Sequence, residues 1–345
     1  MAEIRPPREV FDLQGHEATE EAFEASRARG RLHHAWLLTG AEGVGKATFA
    51  YRAARRLLGA PAEPAYGVLG ASPDHPVSRQ VIAHSHPDLF VLERADETGK
   101  LRKVIPVDEA RGLSEFFSKS PASAPHRVAI IDAIDDLNVN AANAILKTLE
   151  EPPAHGVLLM VSHAPGRLLP TIRSRCRRLP LRPLSEALVA ELLGRYRPDL
   201  SASDRSALLE LAEGSIGHAI ELAEQGGLAL HRRLVELLGR LPELDVSAVY
   251  TFADGVSRWG NDDAFRVFTE LMPATIARAI AKAAQSGGTD AESSLGRLLA
   301  KRGLERWVEV WEAITALFAE AEAVNLDRKQ VVLNAFLALQ SAASG

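Results

Sequence analysis

Seven residues, Gly40-Ala41-Glu42-Gly43-Val44-Gly45-Lys46, have the types and spacing that hold a phosphate. The pattern is G-x-x-x-x-G-K. Its glycines let consecutive backbone N–H groups curl around anionic oxygens, and Lys46 adds a point charge. A complete site of this kind also needs a hydroxyl for magnesium, an aspartate on a nearby strand, and a base beside that aspartate. The hydroxyl position is Ala47. Thr48 follows, but one residue along a helix is a rotation of about 100°, so it does not simply take over. Val128–Ile131 is an apolar run ending in Asp132, which has the form of the second motif, whose carboxylate positions magnesium through water. The residue after it is Ala133, which has no base. Asp135 and Asp136 read as a solvated acidic turn before a helix.

These residues need a scaffold. Ala35–Thr39 (AWLLT) is an apolar strand running directly into the glycine loop, and a helix from Ala47 to about Leu58 puts its positive N-terminus at the same point. Val128–Ile131, a helix from about Asn140 to Glu150, and a second apolar run, Val157–Val161, make a strand–helix–strand unit. Pro152-Pro153 ends the helix. Continuous apolar strands joined by a crossover helix imply a parallel sheet buried on both faces. Chemistry in such sheets sits at the carboxyl ends of the strands, where Asp132 and Ser162 fall. Arg175 sits on the next short helical turn, after Pro170.

Arg173, Arg175, Arg177 and Arg178 fall within six residues. Three readings stand: a solvated basic edge, a patch contacting nucleic-acid phosphates, or a donor to a phosphate held by a neighbouring subunit. Asp74, His75, His84 and His86 lack thiols and ligand spacing, and read as surface groups in a loop rather than a metal site.

Elsewhere the pattern is organisational. Residues 1–15 read as a loosely held arm, Glu17 to about Arg29 as a helix, and residues 60–85, rich in Pro, Gly, Ala and Ser, as an irregular insertion. Asp88–Glu93 reads as a strand, and Val107–Phe117 as an amphipathic helix capped by Asp108. After Arg182-Pro183 strands disappear. Residues 185–224 read as three short helices, with Ser203 or Asp204 starting one and Gly214-Ser215 as a break. Beyond Gln225-Gly226-Gly227 come long helices: Ala229–Leu241, Ala264–Lys282, Leu299–Asn325 and Asp327–Leu339, with Ser286–Thr289 a flexible link.

Composition narrows the function classes. The 345 residues are 46% apolar and 25% charged, ordinary for a globular protein of two or three domains. The net charge of −5 argues against a chain that binds nucleic acid by its overall field. The single cysteine, Cys176, excludes an internal disulfide and any cysteine-based zinc site, and suits a reducing cytoplasm. No run approaches the roughly 18 apolar residues of a membrane span.

GRLHHAWLLTGAEGVGKAT (30–48), NAANAILKTLEEPP (140–153), Ser174-Arg175-Cys176 and NLDRKQ (325–330), taken in order, resemble the delta-prime subunits of the bacterial DNA polymerase III clamp loader. The resemblance implies an α/β plus all-α chain. Its parts are a RecA-like AAA+ P-loop domain with a parallel sheet (1–182, arm 1–15), a three-helix lid (183–225), and a helical collar (226–345) that joins an oligomer. It implies a cytoplasmic hetero-pentamer with gamma/tau ATPase subunits and a delta subunit, acting on a sliding clamp and primed DNA, with no membrane. It assigns Arg175 as an arginine finger given in trans to a neighbouring subunit's nucleotide. Gly40, Gly43, Gly45, Lys46, Asp132 and Ser162 become a vestigial or weak nucleotide site, Ser162 standing at the first sensor position, where it can hydrogen-bond a phosphate. The lid position that carries an arginine in the ATPase subunits is Gly217. With Ala47 and Ala133 that makes three losses, so ATP or ADP is held weakly at most, and no hydrolysis is expected. No cofactor is required, and the four cysteines that hold zinc in many relatives are missing, so no metal is expected. The competing functions are an autonomous AAA+ ATPase with degenerate motifs and a DNA-binding module using the arginine cluster.

Overall fold

The computed structural model describes residues 5–95, 102, 104–258, 262–285, 303–324 and 326–344. The chain forms two compact units, Met1–Ile220 and Glu221–Gly345. The division between the compact units falls within the helix Ile216–Glu224.

The first unit is built on five strands: β1 (Ala35–Thr39), β2 (Leu89–Glu93), β3 (Arg127–Asp132), β4 (Gly156–Ser162) and β5 (Arg177–Pro180). They lie in the order β2-β3-β4-β1-β5, with every pairing parallel. This is the sheet of the RecA-like P-loop fold. Residues alternate faces along each strand, and both faces are dry. Trp36, Leu38, Val128, Ile130, Leu159 and Val161 pack under α2 (Lys46–Leu57) with Phe23 of α1 (Glu17–Ala28). Leu37, Ala129, Ile131, Leu158 and Met160 pack under α4 (Val107–Ser118) and α5 (Val139–Glu150). That two-sided burial is why the strands read as unbroken apolar runs. Between them in sequence, α3 (Pro76–Ile82) and α6 (Pro170–Arg173) are short helices, each starting on a proline. The unit ends with α7 (Glu186–Tyr196), capped by Ser185, α8 (Ala202–Ala212), capped by Ser201, and the start of α9 (Ile216–Glu224).

Several expectations need correction. Residues from Pro6 to His16 are not loosely held: the buried Arg55 donates to the carbonyls of Arg8 and Val10 and lies over the Phe11 ring, so a cation inside the unit holds this segment. The insertion at 60–85 contains α3 and is held by a buried ion pair, Arg52 Nε to Glu20 Oε1 at 2.6 Å. Arg52 also donates to Tyr66 O, and Glu20 accepts from Leu69 N. The histidines there have structural work. His75 caps α3, His84 meets the Tyr51 hydroxyl at 3.2 Å, and His86 is buried and accepts from Asp88 N. No cluster of three or more metal-ligating side chains occurs among the described residues. Helix α4 starts at Val107 as expected, but its cap is Pro106 rather than Asp108, which lies in its first turn paired with Arg111. Ser201 caps α8, rather than Ser203 or Asp204.

The second unit is helical: α10 (Gly227–Leu238), α11 (Val246–Ser257), α12 (Asp262–Gln285), α13 (Leu304–Val324) and α14 (Arg328–Ser344). Phe252, Phe318 and Phe336 surround Phe268 at its centre, with ring centroids 5.7, 5.4 and 6.5 Å from it. The expected link at Ser286–Thr289 and the first residues of the expected helix 299–325 lie outside the described residues, as does Asn325. No helix among the described residues is long and apolar enough to cross a membrane.

Candidate phosphate site and the exposed arginine

The glycine loop joins β1 to α2, with Gly40 directly after the strand and Gly45 directly before the helix. Five successive carbonyls in it are taken by the chain itself. Lys46 Nζ donates to Gly40 O at 2.8 Å and Ala41 O at 2.5 Å. Ser215 Oγ donates to Glu42 O at 2.6 Å, and Gly217 N to Gly43 O at 3.0 Å. His16 Nε2 donates to Val44 O at 2.7 Å. Each peptide is planar and trans, so fixing these carbonyls turns the following N–H groups the opposite way. The loop is thereby held by the lysine, by Ser215 and the first turn of α9, and by the residue preceding α1. Lys46 is buried, and burial lowers its pKa to about 8, with the carboxylates of Glu42, Asp132 and Asp135 opposing that. Its ammonium is directed at backbone oxygens.

The segment around Ser215 closes over the loop at one contact of two glycines. A side chain at Gly43, whose φ is +74°, would start 2.4 Å from Ser215 Oγ, and one at Gly217 would start 2.6 Å from the Gly43 Cα. The close approach requires that neither Gly43 nor Gly217 carry a Cβ.

Asp132 ends β3 beside Glu93 of β2. Burial pushes its carboxyl up to about 6, and the Glu93 carboxylate adds to the rise, against the pull of Lys46. The residue after Lys46 is Ala47 and the residue after Asp132 is the buried Ala133, so neither position offers an oxygen ligand or a base.

Ser162, at the end of β4, is fully buried and is already engaged. It donates to Asp135 Oδ1 at 3.1 Å, and the same carboxylate accepts from His163 N at 2.8 Å and Ala164 N at 3.1 Å. Asp135 is thus a clamp on the end of β4, and the reading of a solvated acidic turn is corrected. Asp136 likewise pairs with Arg94 at 3.1 Å. Nothing in the spacing of Asp135 and Ser162 pointed to this bond, which spans 27 residues.

Arg175 lies elsewhere. It follows α6 by two residues rather than sitting on it, and precedes β5 by two. Because Arg177 pairs with Trp36 and Pro180 with Thr39, Arg175 is beyond the amino end of β5, while the glycine loop leaves the carboxyl end of β1. The sheet thus separates Arg175 from this chain's own loop by at least three residue steps, roughly 10 Å. Its side chain is 36% exposed, and the guanidinium pairs with Glu150 Oε1 at 3.0 Å and donates to Thr171 O at 3.0 Å. Nearby Arg177 lies over the Trp36 ring and bonds Ser26; Arg173 and Arg178 are exposed.

A family model described as DNA polymerase III, delta subunit, matches residues 15–185. The DNA polymerase III subunit delta' of Pseudomonas aeruginosa is 37% identical over 220 residues, covering 64% of this chain and 65% of that protein. That of Bacillus subtilis is 30% identical over 209 residues, covering 60% of this chain and 59% of that protein. Over this stretch the chain is similar to the delta-prime subunits of DNA polymerase III. The tau subunit of Escherichia coli is 31% identical over 226 residues, covering 64% of this chain and 33% of its own length. The chain therefore spans under two thirds of the length of these relatives. A DNA polymerase III gamma subunit-related protein from Thermotoga maritima aligns in structure with TM-score 0.47 and 18% identity, over 94% of this chain and 99% of that one.

Proposed function

We propose that this chain is a non-hydrolysing subunit of a DNA polymerase III clamp loader, and that it gives Arg175 in trans to a neighbouring subunit's nucleotide. One observation carries the reading: the arginine stands half-exposed at the amino end of the sheet, away from the chain's own glycine loop. An arginine so placed serves a phosphate on another molecule. Its planar fork stays charged and grips phosphate oxygens in two places, and a cation meeting the developing charge of a transferring phosphoryl group speeds its transfer.

The chain's own loop supports the same division. Ala47 and Ala133 remove the metal ligand and the base, Gly217 replaces the lid arginine, and Ser162 is spent on Asp135. Any ATP or ADP that Gly40, Gly43, Gly45 and Lys46 retain is held weakly, without turnover, and the chain needs neither nucleotide nor zinc to do its work. The partners of this reading are gamma/tau ATPase subunits and a delta subunit in a cytoplasmic hetero-pentamer, with a sliding clamp and primed DNA reached through the assembly.

Reconstitution tests it. The purified chain alone hydrolyses no ATP, and Arg175→Ala in the assembled loader lowers clamp- and DNA-stimulated hydrolysis at the adjoining site by up to about 10³–10⁵. Hydrolysis by the solitary chain, abolished by Lys46→Ala, or an assembled rate untouched by Arg175→Ala, overturns the proposal.

A further inference from the structure

We infer that Glu150 is a positioning residue for Arg175, holding the guanidinium so that a neighbour's phosphate meets it already oriented. The inference rests on reading Arg175 as the donor in trans.

An arginine side chain has large rotamer freedom, and a free one must be ordered each time a phosphate arrives. Here both terminal nitrogens are tied. Nη1 donates to Thr171 O at 3.0 Å and to Ser174 Oγ at 3.4 Å, and Nη2 pairs with Glu150 Oε1 at 3.0 Å. A guanidinium carries five N–H donors, so the two hydrogen bonds of Nη1 leave three, with Nη2 held by charge beside Glu150. Thr171 and Ser174 sit on the same short segment as the arginine. Glu150 is the outside reference: it is the last residue of α5, whose Leu149 is buried in the core beneath it. The carboxylate is thereby fixed to the body of the unit, and the negative end of α5 favours a cation at the same place. Glu150 and Arg175 are half-exposed, and ion pairs of this kind contribute little to folding. Aiming the side chain is the role left to the pair.

The experiment uses the assembled loader with Glu150→Ala, Glu150→Gln, Arg175→Ala and the double variant Glu150→Ala/Arg175→Ala. Glu150→Ala lowers the kcat of stimulated ATP hydrolysis by up to about fivefold, with the KM for ATP unchanged. Glu150→Gln restores little of it, because the contact is an ion pair and an amide carries no charge. The double variant matches Arg175→Ala alone, and the melting temperature of Glu150→Ala equals that of the parent. A parental rate in Glu150→Ala, a further loss in the Arg175→Ala background, or a loss that tracks a lowered melting temperature overturns the inference. A separate readout needs no loader: nitrogen-15 relaxation of the Arg175 Nε–H in the isolated chain. Added motion in Glu150→Ala supports the anchor and unchanged motion overturns it, even if Arg175→Ala has failed to alter hydrolysis and the donor reading has fallen.

Discussion

A methyl group at residue 217 would sit 2.6 Å from the Gly43 Cα and 3.0 Å from the Gly43 carbonyl oxygen. Both are backbone atoms and cannot swing aside. Alanine is the better helix residue by about 0.5–1 kcal/mol, but overpacking against fixed atoms costs about 1–3 kcal/mol. The second effect wins, so Gly217→Ala lowers the urea midpoint of the chain; a raised midpoint would mean that the two glycines do not touch. Asp132 makes a prediction of opposite sign. Burial first, and Glu93 second, raise its carboxyl to about 6, above an unfolded value of about 3.9. A raised folded-state pKa means that the stability tied to the proton is full below about pH 4 and lost as pH rises through about 6. Ionised Asp132 therefore costs stability at neutral pH, by at most roughly 3 kcal/mol. Asp132→Asn raises the urea midpoint near pH 7, and its advantage shrinks toward pH 4; an advantage independent of pH sinks the assignment. At this scale the residues with motif spacing were legible and their partners were not. Ser162 was placed at its strand end correctly, yet Asp135 takes its hydroxyl across 27 residues of chain. Lys46 belongs to the loop as expected, but its hydrogen bonds depend on where the carbonyls of Gly40 and Ala41 turn.

Elements were legible where burial is one-sided or complete. Strands β1, β3 and β4 are apolar along their length because helices cover both faces. Strand β5 was missed: it is Arg-Arg-Leu-Pro at a sheet edge, and only Leu179 of the four is buried. Charged residues and proline are what an edge strand tolerates. Helix α11 was missed as well, since Val246, Val249, Tyr250, Thr251 and Gly255 are poor helix formers and its stability comes from burying Phe252 and Val256. The insertion at 60–85 had no readable pattern because its staple is an ion pair donated by α1 and α2. That staple is testable. Arg52→Ala strands the Glu20 carboxylate in a dry setting, a change that costs about 3–5 kcal/mol, and it releases the carbonyl of Tyr66. Chymotrypsin then cuts after Tyr66 faster than in the parent chain. Replacing both partners by Met and Leu removes the stranded charge and recovers most of the stability. Equal cleavage rates in Arg52→Ala and parent would show that the ion pair does not hold the insertion.

For the molecule as a whole, charge and placement decide between the remaining uses of its arginines. The chain carries 45 acidic against 40 basic residues, a net −5, so its overall field repels a polyanion. Of the four clustered arginines, Arg175 is paired with Glu150 and Arg177 lies across Trp36 and bonds Ser26. Arg173 and Arg178 are the remainder, and like Arg177 they are exposed. Two phosphate contacts would give a salt slope near −2, against about −10 for a dedicated binder making many contacts. Non-specific affinity from so few contacts is weaker than the roughly 10⁻⁶ M limit of ordinary DNA-binding proteins at physiological salt. Fluorescence anisotropy on a labelled duplex, titrated with the isolated chain at several salt concentrations, measures both quantities. Weak binding with a shallow slope is the expected result, and it leaves the arginine at the amino end of the sheet free for a nucleotide phosphate on a neighbour. Submicromolar binding with a steep slope would transfer the cluster to DNA and remove the geometric case for a donor in trans.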